Sequence, residues 1–194
     1  MRSKILWKAS RLKINNSNLF RYEKFLSSKY NFKVTQKYKK LHDWSIKNPK
    51  KFWSSIWDFT GVKGIKNEKF EKSNTFFKSK FLKNSKLNFA ENLLKKNDSS
   101  KAITFVSENG YKRVRSWKEL NININKLINF FLSIKVKKKD RIAAYLPNLI
   151  ETVESFIATS AIGSIWSSCS PDFGSKGVIE RFSQIKPKVL IISD

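Results

Sequence analysis

Cysteine and histidine are almost missing from this chain: among 194 residues there is one of each, Cys169 and His42. A single thiol excludes an internal disulfide and any cysteine-based zinc cluster. One imidazole has no partners at the spacing of a Ser-His-Asp triad. Both residues are therefore expected to be packing or surface groups. Glycine is also scarce. Gly61, Gly64, Gly110, Gly163, Gly174 and Gly177 are the only six, and none builds a phosphate-cradling loop that ends in Lys. No window approaches the ~18 apolar residues of a membrane-spanning helix; the longest apolar stretch, Leu127 to Ile134, is interrupted by Asn129 and Ser133. Met1 to Lys13 is basic but has no hydrophobic segment of the secretory kind. These absences lead us to expect a soluble protein of a reducing compartment, and a cytoplasmic one.

Acidic residues are few as well, 15 against 40 Lys and Arg, for a formal net charge of +25. Such a balance invites a basic nucleic-acid-binding module as a rival reading. Its distribution favours another. Residues 1–100 carry 25 basic and 7 acidic groups, whereas residues 140–194 carry 5 and 6. Only 7 of the cations are Arg, the residue that base and phosphate readers use for bidentate contacts. The excess reads as solvated surface lysine on the N-terminal half.

What is present is pattern. Hydrophobic residues make up 40% and aromatics 14% of the chain, enough for a packed core. Residues 1–98 read as a mostly helical segment. Asn48-Pro49 opens a helix with Asn as cap and Pro at the first position; Phe52, Trp53, Ile56 and Trp57 stripe one face up to Gly61. Lys63 to Asn84 has no clean period and reads as loop or extended arm. Leu87 to Leu94 reads as a short amphipathic helix. The polar run Asn97-Asp98-Ser99-Ser100 marks the expected domain boundary, giving segments 1–98 and 99–194.

Beyond it, Asn109-Gly110 between two short runs signals a hairpin, and Ser116-Trp117-Lys118-Glu119 is a capping box opening a helix. Strands are then expected at 141–146, 165–168 and 188–193, with helices at 149–162 and 174–185. Strand and helix alternating on this scale imply parallel pairing. The unbroken apolar run Val189-Leu190-Ile191-Ile192 implies a strand covered on both faces. The turn Ser167 to Gly174 falls where open parallel sheets gather ligands, beyond the carboxyl end of a strand. On spacing alone, Ser170 or Asp172 is better read as the cap of the next helix.

One stretch carries a resemblance. Ile165-Trp166-Ser167-Ser168-Cys169-Ser170-Pro171-Asp172-Phe173-Gly174, led by Asp140 to Asn148 and followed by Gln184 to Ile192, resembles the adenylate-forming acyl-CoA synthetases. The Trp-Ser-Ser-Cys turn is similar to that of their acetoacetate–CoA ligase branch. Leu41-His42-Asp43-Trp44-Ser45, Asn48 to Trp53, Ile56-Trp57-Asp58-Phe59 and Leu87 to Leu94 resemble the N-terminal segment of acetyl- and acetoacetyl-CoA synthetases. Two places depart from the pattern: Phe81 to Lys86 stands where a Pro-Gly turn is usual, and Trp117 where Tyr is common.

The resemblance implies an α/β fold, an incomplete parallel-sheet subdomain of an adenylate-forming ligase preceded by a mostly helical N-terminal arm. It implies a reaction in which acetoacetate, ATP and CoA give acetoacetyl-CoA, AMP and pyrophosphate, with Mg²⁺ across the phosphates. It places Trp166 and Phe173 as walls of a CoA and acyl channel, with Ser170, Pro171, Asp172 and Gly174 shaping its turn. The family's phosphate loop, ribose-binding acid and mobile-domain lysine have no counterpart here, so no catalytic and no metal-binding residue is assigned. The 194 residues are expected to be an N-terminal fragment, inactive without the remainder of the polypeptide and binding none of these cofactors tightly. A ligase for another short acid, acetate or propionate, is the alternative within the family.

Overall fold

A computed structural model describes residues 6–193. The chain forms two compact units, residues 1–86 and 87–194.

In the first unit, four helices run in succession: α1 (Arg11–Asn15), α2 (Asn18–Tyr30), α3 (Tyr38–Lys47) and α4 (Pro49–Thr60). Ser10 and Ser17 cap the first two by accepting backbone N–H bonds. Their apolar stripes meet around Tyr22, Leu26, Phe32 and Leu41, with Trp44, Phe52, Ile56 and Phe59 packed against them. The phenol of Tyr22 hydrogen-bonds Ser55 at 2.6 Å in this core, and burial there pushes its pKa up. Helix α4 ends at Gly61, whose left-handed φ of 62° is strained for any residue with a Cβ. Asn48 occupies the position before Pro49 as expected, and its backbone carbonyl accepts from the Phe52 N–H at 2.8 Å, but its side chain makes no cap bond: its Nδ2 donates backwards to the Trp44 carbonyl at 3.1 Å. Residues 63–86 are irregular, held by isolated bridges Ile65–Lys86 and Glu71–Lys80 and one 3₁₀ turn at Phe76–Lys78. His42 is exposed and stacks on Tyr38.

The second unit opens with α5 (Phe89–Leu93), then the antiparallel hairpin β1 (Lys101–Val106) and β2 (Lys112–Ser116). Its turn uses Gly110 at φ 81°. Ser116 and Glu119 form the complete capping box of α6 (Trp117–Ser133). There follow β3 (Arg141–Tyr145), α7 (Ile150–Ala161), β4 (Ile165–Cys169), α8 (Ser175–Ile185) and β5 (Val189–Ile192). The three strands pair in parallel in the order β4-β3-β5, with Ile142 opposite both Trp166 and Val189. β3 is central, and its Ile142, Ala143 and Ala144 are fully buried. One face of the sheet packs on α5, α6 and α7 through Ile124, Phe131, Ile142, Ile157 and Ala158. The other packs on α8 through Ala143, Cys169, Val178 and Phe182, so Cys169 is a small apolar side chain of that core.

Two sequence expectations differ from this arrangement. Segment 87–98 was grouped with the helical arm, yet α5 lies within the second compact unit. The reason is a long-range contact: Asn88 caps α5 by accepting from the Glu91 N–H, and its Nδ2 donates to the carbonyls of Ser160 and Ala161 at the end of α7. β5 is also not covered on both faces. It lies at the sheet edge, and while Val189 and Ile191 face the α6/α7 core, Leu190 and Ile192 are 53% and 63% exposed. Helix α8 lies over β3 and β4 and stops short of it.

Candidate functional site

The carboxyl ends of β3 and β4 and the turn into α8 bring Ser170, Pro171, Asp172, Phe173 and Gly174 together, whereas Trp166 lies apart, near the amino end of β4. β4 delivers Trp166 to one face of the sheet and Cys169 to the other, the alternation any strand imposes. Trp166 is half-buried and meets Phe156 of α7 edge-on at 6.1 Å between ring centroids. Its indole is thus part of the α7 layer, on the opposite face from α8.

Residues 170–174 then make an exposed, internally bonded turn. The Ser170 hydroxyl donates to Asp172 Oδ2 at 2.6 Å, and the Phe173 N–H donates to the Ser170 carbonyl at 3.1 Å. Neither Ser170 nor Asp172 caps α8, as spacing alone had favoured. The cap position is Gly174, which has no side chain to offer. The cause is the turn's own bonding: Ser170 and Asp172 use their oxygens on each other, and the helix starts only once that turn closes.

Tyr145, the last residue of β3, holds the turn in place. Its hydroxyl lies 3.0 Å from the Pro171 carbonyl and 2.9 Å from the Phe173 carbonyl, one proton shared between two acceptors. Phe173 is 41% exposed, and the Arg181 guanidinium of α8 sits over its ring at 4.2 Å, a cation–π contact that fixes the ring's face. The result is a shelf: an aromatic ring, a proline and two small polar groups at a strand end, anchored from below by a tyrosine. Such a shelf has backbone and hydroxyl groups for hydrogen bonding and apolar surface for a chain-like ligand. Among the described residues, no group of three or more His, Cys, Asp or Glu converges to hold a metal ion.

Sequence reading passed over Tyr145 and Arg181, because the contacts that matter span 26 to 28 residues for Tyr145. It also passed over a charged network behind the sheet. Arg113 and Arg115, two apart on β2, meet Glu151 and Glu154, three apart on α7. Arg113 makes a two-pronged bond to Glu151 at 2.8 and 2.6 Å, which holds the Glu151 carboxyl below the usual carboxylate range. Arg115 Nε lies 2.9 Å from Glu154 Oε1, though its N–H is not aligned for a hydrogen bond. We regard this contact as an ion pair only. Glu154 is buried and also accepts from Asn123 of α6 at 3.0 Å. The visible signal was the matching of a two-residue strand period with a helical three-residue spacing, both in charged residues.

Alternating strands and helices around a parallel sheet, with an internally bonded turn at the strand ends, define an α/β unit of the open-sheet kind. The sequence profile of the AMP-binding enzymes matches residues 91–194. The chain belongs to that family. It is 39% identical over 158 residues to an acetoacetyl-coenzyme A synthetase of Rhizobium meliloti (strain 1021), covering 81% of this chain and 24% of the relative. It is 34% identical over 196 residues to the acetoacetyl-CoA synthetase of Xenopus tropicalis, covering 98% of this chain and 29% of the relative. Among solved structures, the acetoacetyl-CoA synthetase from Streptomyces lividans superposes with a TM-score of 0.90 at 26% identity, over 98% of this chain and 30% of that one. The matched part of the chain thus spans 24% to 30% of the length of these relatives. No helix among the described residues is long and apolar enough to cross a membrane.

Proposed function

We propose that this chain is the N-terminal part of an acetoacetate–CoA ligase, forming acetoacetyl-CoA from acetoacetate, ATP and CoA with release of AMP and pyrophosphate. The reading places it in the cytoplasm, in the metabolism of ketone-body carbon. One observation carries it: the superposition on the Streptomyces lividans synthetase extends over 98% of the chain. It therefore includes the irregular arm as well as the sheet. Adenylate-forming relatives use ATP, CoA and Mg²⁺; in this reading the chain's own contribution is the shelf. Ser170, Pro171, Asp172, Phe173 and Gly174 form one wall of the channel for CoA and the acyl group, and Trp166 backs that wall from the α7 side of the sheet. Tyr145 acts as a positioning residue beneath them. The adenylation chemistry itself belongs to residues outside this stretch.

The test is a chimera. Residues 1–194 replace the matching segment of the Rhizobium meliloti synthetase, and pyrophosphate release is measured with acetoacetate, acetate or propionate as the acid. Acetoacetate-dependent release, with Phe173→Ala raising KM for CoA while leaving KM for ATP unchanged, is the expected result. A folded chimera that prefers acetate or propionate would overturn the substrate. An unchanged KM for CoA in Phe173→Ala would overturn the channel assignment.

A further inference from the structure

The first unit holds a carboxylate that its fold does not fully use. Glu23 of α2 is 1% exposed in a chain with 40 basic and 15 acidic residues, and it makes no ion pair among the described residues. Its Oε2 accepts the backbone N–H groups of Thr35 and Gln36, at 3.0 and 2.9 Å. That bond pair ties down the segment leading into α3, where Gln36 sits at φ 53°. Its other oxygen, Oε1, has no partner among the described residues. That oxygen is not sealed in the core, since the buried side-chain atoms without a partner among the described residues are Arg113 Nε and Arg115 Nε; Oε1 is open to solvent and able to accept from a donor that reaches it.

Glu23 also lines a cavity of about 390 Å³. The walls are the aromatic rings of Trp7, Phe20 and Tyr38, and Lys13 stands at the mouth with its Nζ 5.8 Å from the Trp7 ring centroid. A carboxylate on the floor and aromatic faces on the walls are the chemistry that recognises an organic ammonium group. A lone cation would meet the Lys13 charge on the way in. A ligand that carries its own carboxylate turns that repulsion into a second contact.

We propose that this cavity is a binding site for a small zwitterion of amino-acid type. Its ammonium meets Glu23 Oε1, its apolar or aromatic body lies among Phe20, Tyr38 and Trp7, and its carboxylate faces Lys13. The site is built wholly from the first unit and does not rest on the ligase reading.

The amides of Thr35 and Gln36 donate to the same carboxyl group, so their resonances report whether a ligand has reached it. The ¹⁵N-labelled chain is titrated with L-phenylalanine, phenethylamine and 3-phenylpropionate, each to about 10 mM, a range that detects millimolar binding. L-phenylalanine is expected to shift both amides saturably, phenethylamine more weakly, and 3-phenylpropionate not at all. Glu23→Gln, which keeps the shape and an acceptor for the two amides, is expected to weaken L-phenylalanine about tenfold or more, the scale of a lost charged hydrogen bond. Lys13→Ala, at an exposed position, is expected to weaken L-phenylalanine severalfold and leave phenethylamine no weaker. Equal binding of 3-phenylpropionate, absence of a saturable shift, or a Lys13→Ala variant that binds L-phenylalanine as before would each overturn the proposal.

Discussion

Replacing Arg115 with Met strands a buried negative charge. In the native fold Arg115 spans the gap from β2 to α7, and its guanidinium faces Glu154, whose side chain is 5% exposed. Removing one partner of a buried ion pair costs ~3–5 kcal/mol when the other is left uncompensated. Two features lower that figure here. The Arg115 side chain is 21% exposed, so water screens part of the pair. Asn123 stays in place to donate to Glu154. We therefore expect Arg115→Met to lose about 2–3 kcal/mol, just below that range. With an m-value of ~1.5 kcal/mol/M for a domain of this size, the urea midpoint falls by roughly 1.3–2 M.

Two compact units make a whole-chain melt ambiguous, so the second should be followed alone, by hydrogen exchange of peptides covering residues 141–161 across the urea series. The double variant Arg115→Met/Glu154→Leu removes both charges and fills the space with apolar groups. It is expected to recover more than half of the loss, because paired burial of charge is often no better than apolar packing. If the double variant is as unstable as the sum of its parts, the stranded charge is not the cause. A midpoint shift below about 0.3 M in Arg115→Met would show that the pair contributes nothing measurable.

Ser116→Ala removes the capping box of α6 and should cost about 1 kcal/mol, read by the same exchange experiment on α6 peptides. Gly61→Ala forces a side chain into a left-handed backbone and should cost about 1 kcal/mol of stability in the first unit, measured by urea unfolding of residues 38–62. Tyr145→Phe deletes the proton that holds the Pro171 and Phe173 carbonyls; exchange at residues 170–178 should quicken severalfold while β3 is unaffected, and equal protection would show that the turn holds itself. Acid should act through depressed carboxylates. Burial pushes Asp58 up, but its bonds to Lys29 and Lys66 more than offset this and leave it below the ordinary range; Glu151 is lowered by Arg113. Folded values below unfolded ones mean that their contribution is present above pH ~4–5 and is lost as pH falls through the lowered values. A stability profile flat from pH 5 to 2.5 would contradict that sign.

Much of the fold was legible from local pattern. The strand and helix boundaries from residue 101 onward agree with the expectations to within a few residues, because turn chemistry and period carry most of that information: Asn109-Gly110 at the hairpin, Ser116 with Glu119 at the start of α6, apolar runs for the strands. The parallel pairing followed from alternation alone. Less legible were features set by competition among polar groups, whether the partners are near or far in the chain. Whether the Asn48 side chain accepts or donates depends on where the Trp44 carbonyl points. The cap of α8 depends on Ser170 and Asp172 already being engaged with each other. Segment 87–98 looked like the end of the arm until Asn88 met the last turn of α7.

The candidate site divides along the same line. Its turn residues could be named from sequence because they are contiguous, and because that turn resembles one family closely. What stabilises the turn could not, since Tyr145 and Arg181 reach it from a different strand and from the following helix. Residue order dictates which segments are helical, which are extended and where they break, since those choices rest on dihedral preference and hydrogen bonds only a few residues apart. Only tertiary contact decides which side of a strand is covered and which oxygen of a buried carboxylate is left unused. It also selects the arginine that reaches a given glutamate, because each such outcome depends on two surfaces meeting, and a linear pattern specifies only one of them.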